Sequence, residues 1–167
     1  MLDQNYLDSL RIIVRRLEDT AIDWVVTGSC GFALQGVDVA VHDIDLQTDK
    51  DGAYAIERLF LDQSSRKVVY SIADNIRSHL GALAINGIQV EIMGDIQKRL
   101  NDGIWEEPVD IRSHRRWVTI DGMHIPVLSL EHEYKAYLAL GRVEKAEMLR
   151  KWLQSKDRHA NHRSRSK

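Results

Sequence analysis

Three carboxylates and one Gly-Ser pair are the residues of this chain with types and spacing suited to chemistry. Asp43 and Asp45 stand two apart in "VAVHDIDLQT". In an extended strand that spacing puts both side chains on one face and Ile44 and Leu46 on the other. Glu91 interrupts the apolar run "IQVEIM", where a carboxylate is tolerated only if its face is solvated or a partner neutralises it. Upstream, "WVVTGSCGFALQG" passes from an apolar strand through Gly28-Ser29 into a short helical piece. A strand, a Gly-Ser turn and a helix start bring free backbone N–H groups and the positive end of a helix dipole to one point, which suits an anion. Hard oxygen ligands beside a phosphate cradle favour Mg²⁺ or Mn²⁺. Each feature alone has an ordinary reading, as a helix cap or a solvated acidic face, and their combination points to a divalent-metal and phosphate site.

The elements that must position these residues follow from periodicity. Leu7, Leu10, Ile13, Val14 and Leu17 predict an amphipathic helix over residues 3–19. "IDWVVT" predicts a buried strand ending at Gly28, and "SCGFALQG" a helix capped by Ser29 and stopped by Gly36. "VAVHDIDLQT" predicts the next strand, "KDGAYAIERLFLDQ" a helix with Ala55, Leu59 and Phe60 inward, and "RKVVYSI" a further strand. Asn86-Gly87 and Asp121-Gly122 each join two apolar runs and predict β-hairpins with type I′ turns. Residues 95–116 read as a charged loop, and acceptor determinants are expected within 95–117. From Ser129 a single helix is expected to about Gln154. Strands interleaved with helices, two hairpins among them, imply an α/β (α+β) fold with a mixed twisted sheet flanked by helices and a C-terminal helix. The expected divisions are a core over 1–128, the helix over 129–154 packed on it, and a basic, solvated and disordered tail over 155–167.

The pattern "VVTGSCGFAL…HDIDL…VEI" resembles the DNA polymerase β-like nucleotidyltransferase superfamily. Within it, the size and the Trp-x-x-x-Gly lead-in are similar to small bacterial lincosamide and aminoglycoside nucleotidyltransferases and to toxin-antitoxin nucleotidyltransferases. The motif-bearing part spans about residues 22–93. The resemblance implies a nucleotidyltransferase fold and transfer of a nucleoside monophosphate from an NTP, such as ATP, to a hydroxyl, with release of pyrophosphate. It implies that Gly28 and Ser29 hold the terminal phosphates, that Asp43 and Asp45 bind two Mg²⁺ (or Mn²⁺) ions, and that Glu91 completes the site as ligand or base. The third carboxylate is Glu where many members have Asp. A homodimer that builds the acceptor cleft between subunits is the expected assembly. Two other readings stay open: modification of a protein or RNA with a toxin-antitoxin partner protein, and a nucleotide- or partner-binding module without catalysis.

The last helix supplies a separate expectation. At about 100° per residue, Leu130, Tyr134, Tyr137, Leu138, Met148 and Trp152 share a stripe with Gly141 and Lys145. Lys145 is therefore placed within an apolar face, where it either threads to water or a structural acid, or, with Arg142 at the stripe's edge, supports nucleotide phosphates or a site carboxylate. Tyr134 and Tyr137 read as core. Cys30 reads as a packed helix residue, and His42 as a packing or surface residue outside the metal set.

Composition bounds the remaining classes. At 167 residues with 44% hydrophobic and 29% charged residues the chain is one globular domain. No apolar run approaches the roughly 18 residues of a membrane span, and the N-terminus lacks signal-peptide features, so no membrane contact and a cytoplasmic location are expected. A single cysteine excludes a disulfide framework and a multi-cysteine zinc site. The net charge of −2 divides into +4 on the tail Ser155 to Lys167 and −6 elsewhere.

Overall fold

The computed structural model describes residues 2–164. The chain runs α1 (Gln4–Leu17), β1 (Trp24–Thr27), α2 (Gly28–Leu34), β2 (Ile44–Thr48), α3 (Lys50–Leu59), a 3₁₀ turn (Leu61–Gln63), β3 (Ser64–Ala73), β4 (Ile76–Ile85), β5 (Ile88–Lys98), α4 (Ile111–His114), β6 (Arg115–Ile120), β7 (Met123–Leu128), α5 (Leu130–Ala139) and α6 (Val143–Ser164). The strands form one seven-stranded sheet in the order β3-β4-β5-β2-β1-β7-β6. It is mixed: β1 is antiparallel to β2 and parallel to β7, and β2 is parallel to β5. The mixed sheet with flanking helices is therefore as expected.

One face of the sheet is a continuous apolar layer. Val26, Ile44, Leu46, Val90, Ile92 and Ile125 meet Leu10, Ile13 and Leu17 of α1, Cys30 and Leu34 of α2, and Ala53 and Ile56 of α3. Burying a Leu or Ile side chain contributes roughly 1.5–3 kcal/mol. A one-residue slip of β2 would expose Ile44 and Leu46 and drive Asp45 into this layer, so the core fixes which way Asp45 points. Both hairpins form at the expected dipeptides, with Asn86 and Gly87 at φ 52° and 74° and Asp121 and Gly122 at 50° and 72°, the left-handed pair that a type I′ turn requires.

Several local expectations are corrected. In α3 the inward residues are Ala53, Ile56 and Phe60, whereas Ala55 is half-buried and Leu59 is exposed. The cap of α2 is Thr27, with the helix beginning at Gly28. Strand β5 runs on to Lys98, a bridge joins Arg99 to Trp105, and one helical turn follows at Ile111–His114, so the expected loop is largely structured. The single C-terminal helix is two helices, because Gly141 takes φ 71° between α5 and α6. This break removes Leu138 from the apolar stripe and leaves it exposed. Tyr134, Tyr137, Met148 and Trp152 do pack together, around Phe32, Val37, Leu130 and Leu149. Residues 155–164 of the expected disordered tail continue α6 as an exposed helix, and residues 165–167 lie outside the described residues. Among the described residues no helix is long and apolar enough to cross a membrane.

Candidate active site

The face of the sheet opposite the apolar layer carries a polar row across its centre. Thr27 pairs with Asp45 between β1 and β2, and Asp45 pairs with Glu91 between β2 and β5. Directly opposed residues project to the same side, with neighbouring strands about 4.8 Å apart. Asp43 lies one residue ahead of β2 rather than within it. Asp43, Asp45 and Glu91 nevertheless line one cleft of about 570 Å³, with Ser71, Asn75, Ser78 and Arg142 around it.

Glycine at position 28 has a geometric cause. Its φ is 67°, and a Cβ added there would stand 2.5 Å from Asp45 Oδ2. The turn that opens α2 thus packs its bare Cα against the carboxylate. Ser29 follows inside the first turn of α2, whose leading N–H groups have no intrahelical acceptor. Among the described residues the Ser29 hydroxyl makes no hydrogen bond.

The charges of this row oppose one another. Burial first, then the charges of Asp43 and Glu91, push the Asp45 carboxyl up to about 7, against a lowering contribution from Lys145. Burial and Asp43 also raise Glu91, while Arg66 on β3 acts in the opposite sense. Lys145 is exposed rather than set in the apolar face, and its ammonium lies 5.4 Å from the Tyr137 ring centroid. Arg142 sits in the break between α5 and α6 and lines the carboxylate cleft. Gly141 has open space around its Cα and serves the turn, not close packing.

Among the described residues no group of three or more His, Cys, Asp or Glu side chains is gathered as a ready metal cage. The donor set is two strand-borne carboxylates with Asp43 just ahead of them, all hard oxygen donors. A bound cation would relieve the mutual repulsion that raises Asp45, so the residues fit Mg²⁺ or Mn²⁺ in chemistry.

Sequence reasoning missed Glu133. This residue of α5 is only 4% exposed. It accepts a hydrogen bond from the Thr27 hydroxyl, and burial pushes its carboxyl up to about 7 against lowering contributions from Thr27 and the Gly28 backbone. Its place in "SLEHEYK" reads as an ordinary acidic first turn, and only the packing of α5 over β1 turns it inward. Gln47, two residues after Asp45 on the same face of β2, was also missed; its side-chain amide donates to Thr27 Oγ1 at 3.3 Å. A larger cleft of about 780 Å³ lies at the other end of β1, lined by Arg11, Arg15, Asp23, Arg112, Arg115 and Trp117. It shares no residue with the carboxylate cleft, and Asp23 pairs with both Arg112 and Arg115 at 3.2 Å.

Comparison with known proteins identifies the family and the fold. The family model for aminoglycoside-2''-adenylyltransferase matches residues 9–151. The crystal structure of a candidate nucleotidyltransferase from Thermotoga maritima is 61% identical, covering 93% of this chain and 96% of that one, with a TM-score of 0.82. Two more distant structures share the fold. The lincosamide antibiotic adenylyltransferase LnuA, lincomycin-bound, is 12% identical with a TM-score of 0.54, over 89% of this chain and 97% of that one. ANT(2'')-Ia in complex with adenylyl-2''-tobramycin is 12% identical with a TM-score of 0.58, over 97% and 99%. None of the curated proteins matches the chain. The resemblance carried by the Gly-Ser turn and the three carboxylates is thus borne out, and the chain belongs to the aminoglycoside-2''-adenylyltransferase family of nucleotidyltransferases.

Proposed function

We propose that this enzyme transfers a nucleoside monophosphate from an NTP to a hydroxyl of a small-molecule antibiotic, with aminoglycosides first among the acceptors, and releases pyrophosphate. The observation that carries this reading is the row Thr27–Asp45–Glu91 beside the Gly28 turn, with Asp43 and Arg142 in the same cleft. Family membership supplies the acceptor class.

In this reading Asp43, Asp45 and Glu91 would hold Mg²⁺ or Mn²⁺, which when bound neutralises charge on the phosphates. Gly28, Ser29, Arg142 and Lys145 bind the terminal phosphates, with Arg142 in the same cleft as the carboxylates. Glu91, raised by burial and by Asp43, takes the proton of the acceptor hydroxyl. The hydroxyl oxygen bonds to the α-phosphorus as the bond from that phosphorus to the bridging oxygen breaks. Pyrophosphate is the leaving group. The protein's contribution is placement and charge, as phosphoryl-type transfer requires.

The acceptor lies along the remaining wall of the cleft, where Ile96, Lys98 and Val109 line an adjoining pocket of about 150 Å³ with Asp45 and Glu133. A homodimer would extend that wall. The exposed apolar residues Val69, Tyr70 and Ile72 on the edge strand β3 are consistent with such a contact.

A thermal-shift panel with each NTP, with and without Mg²⁺, tests the site. A Mg²⁺-dependent rise in Tm that Asp45→Asn abolishes is expected, because a ligand that binds only the folded state stabilises it by mass action. No rise with any NTP would overturn the reading.

A further inference from the structure

Stability does not account for Glu133. It is buried in α5 at 4% exposure and makes no ion pair among the described residues, unlike Lys98, the other buried charged residue, which pairs with Glu106 at 3.0 Å. Its Oε2 has no hydrogen-bond partner among the described residues. A buried carboxylate without a countercharge costs free energy that an apolar or amide side chain of similar volume would not. What the carboxylate touches is the chain segment that carries the site. Thr27 donates its hydroxyl to Oε1.

The contacts continue inward. Thr27 is the strand partner of Asp45, and Gly28 has its Cα so close to Asp45 that a Cβ would come within 2.5 Å of Oδ2. Glu133 therefore holds, through Thr27, the residue that adjoins Asp45 on that side.

We propose that Glu133 is a positioning residue of the nucleotidyl-transfer site, which holds Thr27, and through it the turn into α2, against Asp45. The proposal rests on the nucleotidyl-transfer reading for its kinetic consequence, and on the turn alone for its structural one. The effect of Glu133 belongs to the alignment of Asp45 and so to turnover, not to nucleotide affinity.

The test combines amide hydrogen exchange at Thr27 with steady-state kinetics on Glu133→Ala, Glu133→Gln and Thr27→Val. In Glu133→Ala, Thr27 exchange is expected to rise at least about tenfold. In the same variant kcat is expected to fall about 10–100-fold, the range found when a group supporting a site is removed, with KM for the NTP within about threefold. Glu133→Gln keeps an acceptor oxygen and is expected to restore slow exchange and most of kcat. If Glu133→Ala does not fold, Thr27→Val removes the hydroxyl donor alone and is expected to lower kcat in the same pattern. A folded Glu133→Ala with wild-type kcat, unchanged Thr27 exchange, or a loss confined to KM would each overturn the proposal. If the unaltered enzyme transfers no nucleotide at all, the functional reading fails, and Thr27 exchange still decides whether Glu133 holds the turn.

Discussion

Gly28 and Asp45 pack against one another where β1 and β2 meet: a first side-chain carbon at position 28 would stand 2.5 Å from Asp45 Oδ2, so the carboxylate would have to shift. The turn and the carboxylate are one construction. Gly28→Ala adds both this overlap and the strain of φ 67° on a residue with a Cβ. The expected outcome is a folded protein with lower Tm and roughly 100-fold lower kcat/KM, the scale of loss that a misplacement of about 1 Å produces. Kinetics beside a melting curve would check it. Wild-type turnover in Gly28→Ala would show that Asp45 need not sit against the turn.

Two buried carboxylates set the pH dependence of stability. Asp45 and Glu133 are each raised to about 7, principally by burial. Between their ordinary values and about 7 the folded state therefore holds more protons than the unfolded state, and stability falls as pH rises through that window. His132 acts in the opposite sense: burial and the neighbouring His114 lower it from 6.5 to about 4, so its contribution grows as pH rises from 4 to 6.5. Above 6.5 the carboxylates act alone. The Tm of the metal-free protein is expected to drop from about pH 6.5 to 8, and to drop less in Glu133→Gln and in Asp45→Asn. Parallel Tm profiles for all three proteins would contradict the assignment.

Cys30 is inert in the folded protein. It is fully buried, and burial together with Asp45 and Asp43 pushes its thiol up to about 12. The thiolate is the reactive form, so iodoacetamide at about pH 8 is expected to leave native protein unlabelled and to label it once unfolded. Mass spectrometry reads this directly. Rapid labelling under native conditions would mean that α2 opens.

Lys145 is exposed, and its charge acts on both Asp45 and Glu133. Lys145→Gln is expected to raise KM for the NTP about tenfold, equivalent to about 1.4 kcal/mol, with Tm unchanged. An unaltered KM would remove Lys145 from the nucleotide site.

What was legible in the sequence was local. Asn86-Gly87 and Asp121-Gly122 name their own turns, because few residues adopt two successive left-handed conformations. The alternation around Asp45 and Glu91 assigned each a face, and the sheet then set them in register on adjacent strands. What was not legible depended on contacts between distant segments. Glu133 lies 106 positions from the Thr27 hydroxyl it accepts, and no periodicity distinguishes it from an exposed helix-start acid. Arg66, which faces the charge of Glu91, sits on a strand whose own pattern is mostly exposed. The break at Gly141 was hidden because a lone glycine in a helical pattern is ambiguous between an interior residue and a cap. That ambiguity placed Lys145 in an apolar face when the turn puts it in solvent.

The central claim is nucleotidyl transfer through the carboxylate row, and mass spectrometry of acceptors tests it most directly. The purified protein would be incubated with each NTP, Mg²⁺ and a panel of aminoglycosides and lincosamides, beside Asp45→Asn. The account expects an acceptor heavier by one nucleoside monophosphate, an equal amount of pyrophosphate, and neither product with Asp45→Asn. NTP turnover with no modified acceptor, or the same adduct formed by Asp45→Asn, would contradict it.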